Sequence, residues 1–248
     1  MRILIAILAL CALPLAAQEN PANPAPKEPK QGQTLTREYQ MLVYEAMRSF
    51  QAHDYKAALA LTDKADSFLP PTSLTLNVRG AVAIELKQYA EGLKYCQQAL
   101  KLDPKFFPAR FNICEIPFLQ GKYKEARQLW QYLHENYSND YPSFAKDDIM
   151  PELLIYRITI AFLLEKDFVH AKDWMDKIPF PSVSPAYQYA HAAWERENGN
   201  MAKWEEWLKN AAYIWPDSKR ANFSEVLVQL KWLKEETAAP VEKTEGKK

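Results

Sequence analysis

An all-α fold of stacked helix pairs is what this 248-residue sequence predicts, on three observations. Apolar residues recur at helical rather than alternating spacing. Only 6 glycines stand against 17 prolines, too few glycines for the many tight hairpins of a β-sandwich or barrel. A short pattern also returns along the chain: HDYKAALAL from His53, KQYAEGLKY from Lys87, GKYKEARQL from Gly121, KDFVHAKDW from Lys166 and GNMAKWEEW from Gly199.

Tyr55, Tyr89 and Tyr123 lie 34 residues apart, Phe168 follows after 45 and Met201 after 33. An interval near 34 is the period of a helix–turn–helix solenoid, and the long interval places an insertion of about eleven residues near 141–151. In each unit a glycine or polar residue ends the first helix and the aromatic staples the turn. Ala58, Ala126 and Ala171, with Gly92 in the second unit, let two helices pack closely.

Residues 1–17 read as a secretory signal: Arg2, an apolar run from Ile3 to Leu13, then Pro14 and the pair Ala16-Ala17 before the expected cleavage site. The run is well short of the ~20 residues that cross a bilayer, and bulky Leu10 before Cys11 speaks against lipidation. Residues 18–38 form a Pro-rich linker, with Pro21, Pro24, Pro26 and Pro29. The solenoid occupies 39–236. Its end, 219–236, contains FSEVLVQLKWLKEE, an amphipathic helix with Phe223, Val226, Val228, Leu230 and Leu233 that should cap the stack. Residues 237–248 are polar and expected to be disordered.

These residues closely resemble the tetratricopeptide repeat family. The second unit, Ser73 to Phe106, fits through Gly80, Tyr89, Ala99 and Asp103-Pro104. The first fits through Ala46, Tyr55, Ala58, Ala65 and Pro70, and the third through Ile113, Gly121, Tyr123, Ala126 and Trp130. Phe168 and Ala171 carry the fourth; Ala192, Gly199, Ala211 and Pro216 carry the fifth. The resemblance covers roughly residues 39–218 and implies a right-handed superhelical solenoid of about five helix pairs. It also implies a concave groove, lined by the first helices, that takes peptides. By position in the repeat, the partner-binding residues are Tyr44, Phe50, Asn77, Phe111, Phe118, Tyr156 and Tyr189. The family's clamp for acidic chaperone C-termini is absent: Val43, Met47, Val78, Pro108 and Asn112 stand where its Lys, Arg and Asn residues would be.

Lys plus Arg equal Asp plus Glu at 31 each, which points away from nucleic acid. No catalytic or phosphate-binding motif is present, and the four histidines, His53, His134, His170 and His191, are scattered. Asp147 and Asp148 read as caps for a helix starting near Met150. Cys96 and Cys114 read as free buried thiols. The expectation is a non-catalytic protein–protein interaction scaffold of the cell envelope, periplasmic or secreted, with a protein partner and no cofactor, no metal and no stable membrane insertion after signal cleavage. The alternative is a glycan- or peptidoglycan-binding module that uses the C-terminal tryptophans, with Trp174 and Trp207 as an exposed stripe.

Overall fold

The computed structural model describes residues 31–140 and 148–234. The expected leader, residues 18–30 of the linker, residues 141–147 of the insertion and the polar tail lie outside the described residues. Those described form eleven helices and no strand: α1 (Gln31–Gln51), α2 (Tyr55–Phe68), α3 (Ser73–Glu85), α4 (Tyr89–Leu102), α5 (Phe107–Leu119), α6 (Tyr123–Asp140), α7 (Met150–Leu164), α8 (Phe168–Met175), α9 (Ala186–Glu197), α10 (Met201–Ile214) and α11 (Asp217–Gln229). The first helix starts at Gln31, so residues 31–38, read from composition as linker, are helical; Tyr39 and Val43, on either side of its midpoint, are buried and anchor it.

Odd-numbered helices are the first members of each pair, even-numbered ones the second. The turn between them is the same device every time. His53, Lys87, Gly121, Lys166 and Gly199 all have positive φ, between 60° and 79°. At Lys87 the residue's own N–H reaches back to the Ile84 carbonyl while that of Gln88 reaches the Ala83 carbonyl. The same two bonds recur as Gly121 to Phe118 with Lys122 to Pro117, and as Lys166 to Leu163 with Asp167 to Phe162. Each turn thereby satisfies carbonyls that the helix end leaves without partners. The next helix then starts on a polar cap: Asp54, Asp167 and Asn200 accept from the backbone N–H three residues on.

α11 ends in the same way. Lys231 has φ 58°, its N–H bonds Val228 O, and the Trp232 N–H bonds Leu227 O. It is therefore placed as the first helix of a sixth pair, and it runs over Asp217–Gln229 where amphipathicity alone suggested a cap at 219–236.

Pairs stack through neighbouring first helices, α1 on α3, α3 on α5 and α7 on α9, and the buried side chains fall into successive local clusters rather than one centre. One joint differs. α5 and α7, which flank the long interval, make no such extended contact, and α6 packs along α7 instead. Arg127 of α6 spans this joint with a two-pronged ion pair to Glu165, Nε to Oε1 at 2.7 Å and Nη2 to Oε2 at 3.1 Å. At its far side Asp148 accepts from the Met150 N–H and from the Tyr137 hydroxyl, so it caps α7. Asp147, its expected companion, lies outside the described residues.

Gly80 and Gly92 set how closely α3 and α4 approach. A Cβ on Gly92 would stand 2.6 Å from Ile84 Cγ1 and 3.1 Å from Gly80 O. Cys96 and Cys114 are free and buried; burial pushes the Cys96 thiol up to about 12 and that of Cys114 higher still. Gly92→Leu should lower stability by roughly 3 kcal/mol, the upper end of overpacking costs, because backbone as well as side chain stands in the way. Thermal and urea melts read this directly, and an unchanged midpoint would contradict the close helix crossing.

Candidate interaction surface

Of the seven residues expected to meet a partner, Tyr44 on α1 is exposed, at 58%. The other six are buried. The expectation that they present their side chains to a partner is corrected by this burial, and the reasons differ by residue.

Phe50 and Phe118 belong to the turns. Each lies three residues before the left-handed residue and gives its carbonyl to that residue's N–H. Each ring packs on the aromatic five residues later, Phe50 on Tyr55 at 5.7 Å and Phe118 on Tyr123 at 5.4 Å. Phe118 also meets Trp130 of the second helix at 5.3 Å. These side chains hold a pair together, and the five-residue aromatic interval visible in the sequence is their signature. Asn77 is tied into the stack of first helices: its Oδ1 accepts from Asn112 Nδ2 at 2.9 Å, so two buried carboxamides on α3 and α5 satisfy one another.

Tyr156 and Tyr189 meet where α7, α9 and α11 approach, whereas Phe111 on α5 reaches α7 through Arg157. Phe111 lies under the guanidinium of Arg157, with Cζ 6.0 Å from the ring centroid. Arg157 is fully buried, and its Nη1 stands 3.6 Å from Glu115 Oε2, too far for a hydrogen bond. No Arg157 nitrogen and neither Glu115 carboxylate oxygen has a hydrogen-bond partner in the protein. This loosely joined, buried charge pair links α5 to α7, which otherwise make little contact. Arg157 was not among the residues that repeat position singles out; a lone arginine inside the apolar run LLIYRITIAFLL was the signal that could have found it.

Tyr156 and Tyr189 form a ring cluster with Phe223 of α11, at 5.5 Å and 6.1 Å between centroids. The Tyr156 hydroxyl donates to the Phe223 carbonyl at 2.9 Å. Burial raises the Tyr156 phenol well above its ordinary range, so it stays a donor. Arg220 completes the attachment through its Nε–H to Trp215 O at 3.0 Å and a hydrogen bond to the Tyr189 side chain.

The tryptophans divide between core and rim. Trp174 is buried, edge-on to His134 and with Lys177 Nζ 3.5 Å above its ring, while Trp207 is half-buried and stacked on His191 at 4.8 Å. They form no exposed stripe. The histidines serve local packing too: His53 bonds the Tyr55 hydroxyl and His170 bonds Asp167, the cap of its own helix. Among the described residues no group of three or more His, Cys, Asp or Glu is placed to hold a metal ion, and no helix is long and apolar enough to cross a membrane.

Burial, partly offset by Arg157, moves the Glu115 carboxyl from 4.5 up to about 7. The folded chain therefore keeps this proton over a range in which the unfolded chain has released it. The stability it contributes is full below pH 4.5 and is lost as pH rises to about 7. Glu115→Gln removes the dependence. The stability difference between the two chains should shift toward the Gln variant by on the order of 2 kcal/mol across that range. Urea titrations at successive pH values test this, and parallel profiles would refute it.

With this geometry in place, comparison with known proteins gives two matches. The tetratricopeptide repeat model matches residues 83–144, from within α3 to just past α6. A 92-residue stretch, 37% of this chain, is 29% identical to the small glutamine-rich tetratricopeptide repeat-containing protein 2 of Mycosarcoma maydis. The match spans 26% of that relative's length. No solved structure matches the chain. Such repeats generally mediate protein–protein interaction, and proteins built from them are generally non-catalytic. Residues 83–144 are thus similar to tetratricopeptide repeats, and the turn found inside that stretch also closes the first helices on both sides of it.

Proposed function

We propose that this protein is a non-catalytic scaffold of the cell envelope that holds a segment of a partner protein against the row formed by its first helices. The observation that carries the reading is Phe223. A helix already lies against α7 and α9, its aromatic ring between two tyrosines and its backbone carbonyl on a tyrosine hydroxyl. That surface therefore has the shape and chemistry to hold a helix. Toward the N-terminal end the row offers Tyr44 and Met41, exposed at 58% and 46%. The signal-like leader supports export to the periplasm or beyond, and the balanced charge favours a partner recognised by apolar contact rather than by its charge.

The test is site-specific photocrosslinking in the native cell, with mass spectrometry of the captured protein and of the mature N-terminus. A photoreactive residue at Tyr44 should capture a partner, whereas one at Tyr213, 92% exposed on the second helix α10, should not. Capture from Tyr213 alone would place the interaction on the second helices. An uncleaved leader would remove the envelope assignment.

A further inference from the structure

α11 departs from the stacking rule of the other first helices. It touches the adjoining α9 and α10, as a next first helix should, but also α7, two first helices back. No other pair of first helices two repeats apart makes as extensive a contact among the described residues. The helix therefore leans across the row rather than only extending it, and Phe223, Val226 and Leu227 are wholly withdrawn from solvent there.

Its seat is only partly apolar. Asn222 and Glu225 are buried alongside those three side chains, with Gln229 at the margin. Gln229 Nε2 donates to Glu225 Oε1 within the helix, while Asn222 Oδ1 and Gln229 Oε1 have no partner. Polar atoms buried without partners weaken the docking of a helix that its apolar residues favour. A permanent terminal cap would present an apolar inner face and a polar outer one. On its far side nothing holds it: no second helix of a sixth pair follows α11 within the described residues.

The chemistry at the seat does not depend on this particular helix. The Tyr156 hydroxyl meets a backbone carbonyl, which every helix supplies. The selective element is an aromatic followed by aliphatic residues at the third and fourth positions, as in Phe223, Val226 and Leu227.

We propose that α11 is a displaceable internal occupant of the partner-binding surface, and that the segment which replaces it is an amphipathic helix carrying an aromatic and two aliphatic side chains at i, i+3 and i+4. This rests on the function proposed above and adds its regulation: the chain holds its own site closed until a helix with better-satisfied polar positions competes.

Two measurements on the full chain test it. In native-state hydrogen exchange, the Phe223–Leu227 amides should exchange at least ~10-fold faster than the central amides of α7 and α9, through an opening short of global unfolding. Exchange only together with those helices would overturn the proposal. In the second, a protease site between Trp215 and Ser218 is cleaved and a labelled peptide of residues 217–233 is added as probe. The peptide should exchange into the nicked, still folded chain, and the same peptide with Phe223→Ala should bind at least ~10-fold more weakly. A nicked chain that retains its own helix without exchange, or that unfolds when the helix leaves, shows α11 to be integral core and refutes the device. Failure to capture any partner from Tyr44 would count against the function while leaving these two results standing, so the two ideas fail separately.

Discussion

The left-handed residue after each first helix is the constraint on which the rest depends. One backbone conformation, closed by two hydrogen bonds to the preceding turn, reverses the chain and presents the second helix to the first. Because it recurs six times with nearly the same geometry, each pair repeats the last and stability is assembled from local clusters. The aromatic rings at Tyr55 and Tyr123 then lock turns already defined by the backbone, meeting Phe50 and Phe118 from the helix before.

The fold was legible because its determinants are local. Tyr55, Tyr89 and Tyr123 recur at a fixed interval, Asp54 and Asn200 stand where caps are needed, and Gly92 marks a close crossing; each is a short-range requirement that a sequence displays. The start of α1 was missed because the Pro-rich composition before it was carried too far, although Gln31–Thr36 contains no proline.

The candidate surface was less legible, since repeat position says which way a first-helix side chain points and nothing about what lies over it. Position marked Tyr156 and Tyr189 as lining the groove, but Phe223, 67 residues after Tyr156, packs against both rings. The Glu115–Arg157 pair was hidden for the same reason. It links α5 to α7 across the long interval, which no pattern within either helix records. Phe50 and Phe118 are instructive in the opposite sense, because their partners at Tyr55 and Tyr123 lie within the same short motif.

The choice of residue at the six turns has a further consequence. Glycine occupies two of them, Gly121 and Gly199; histidine and lysine occupy the other four, His53, Lys87, Lys166 and Lys231. A side chain held in that backbone region costs about 1 kcal/mol relative to glycine, so at four turns the surrounding hydrogen bonds and packing hold a conformation that the residue itself disfavours. Glycine at those four positions would relieve the strain but add freedom to the unfolded chain, so the two effects oppose one another at each turn.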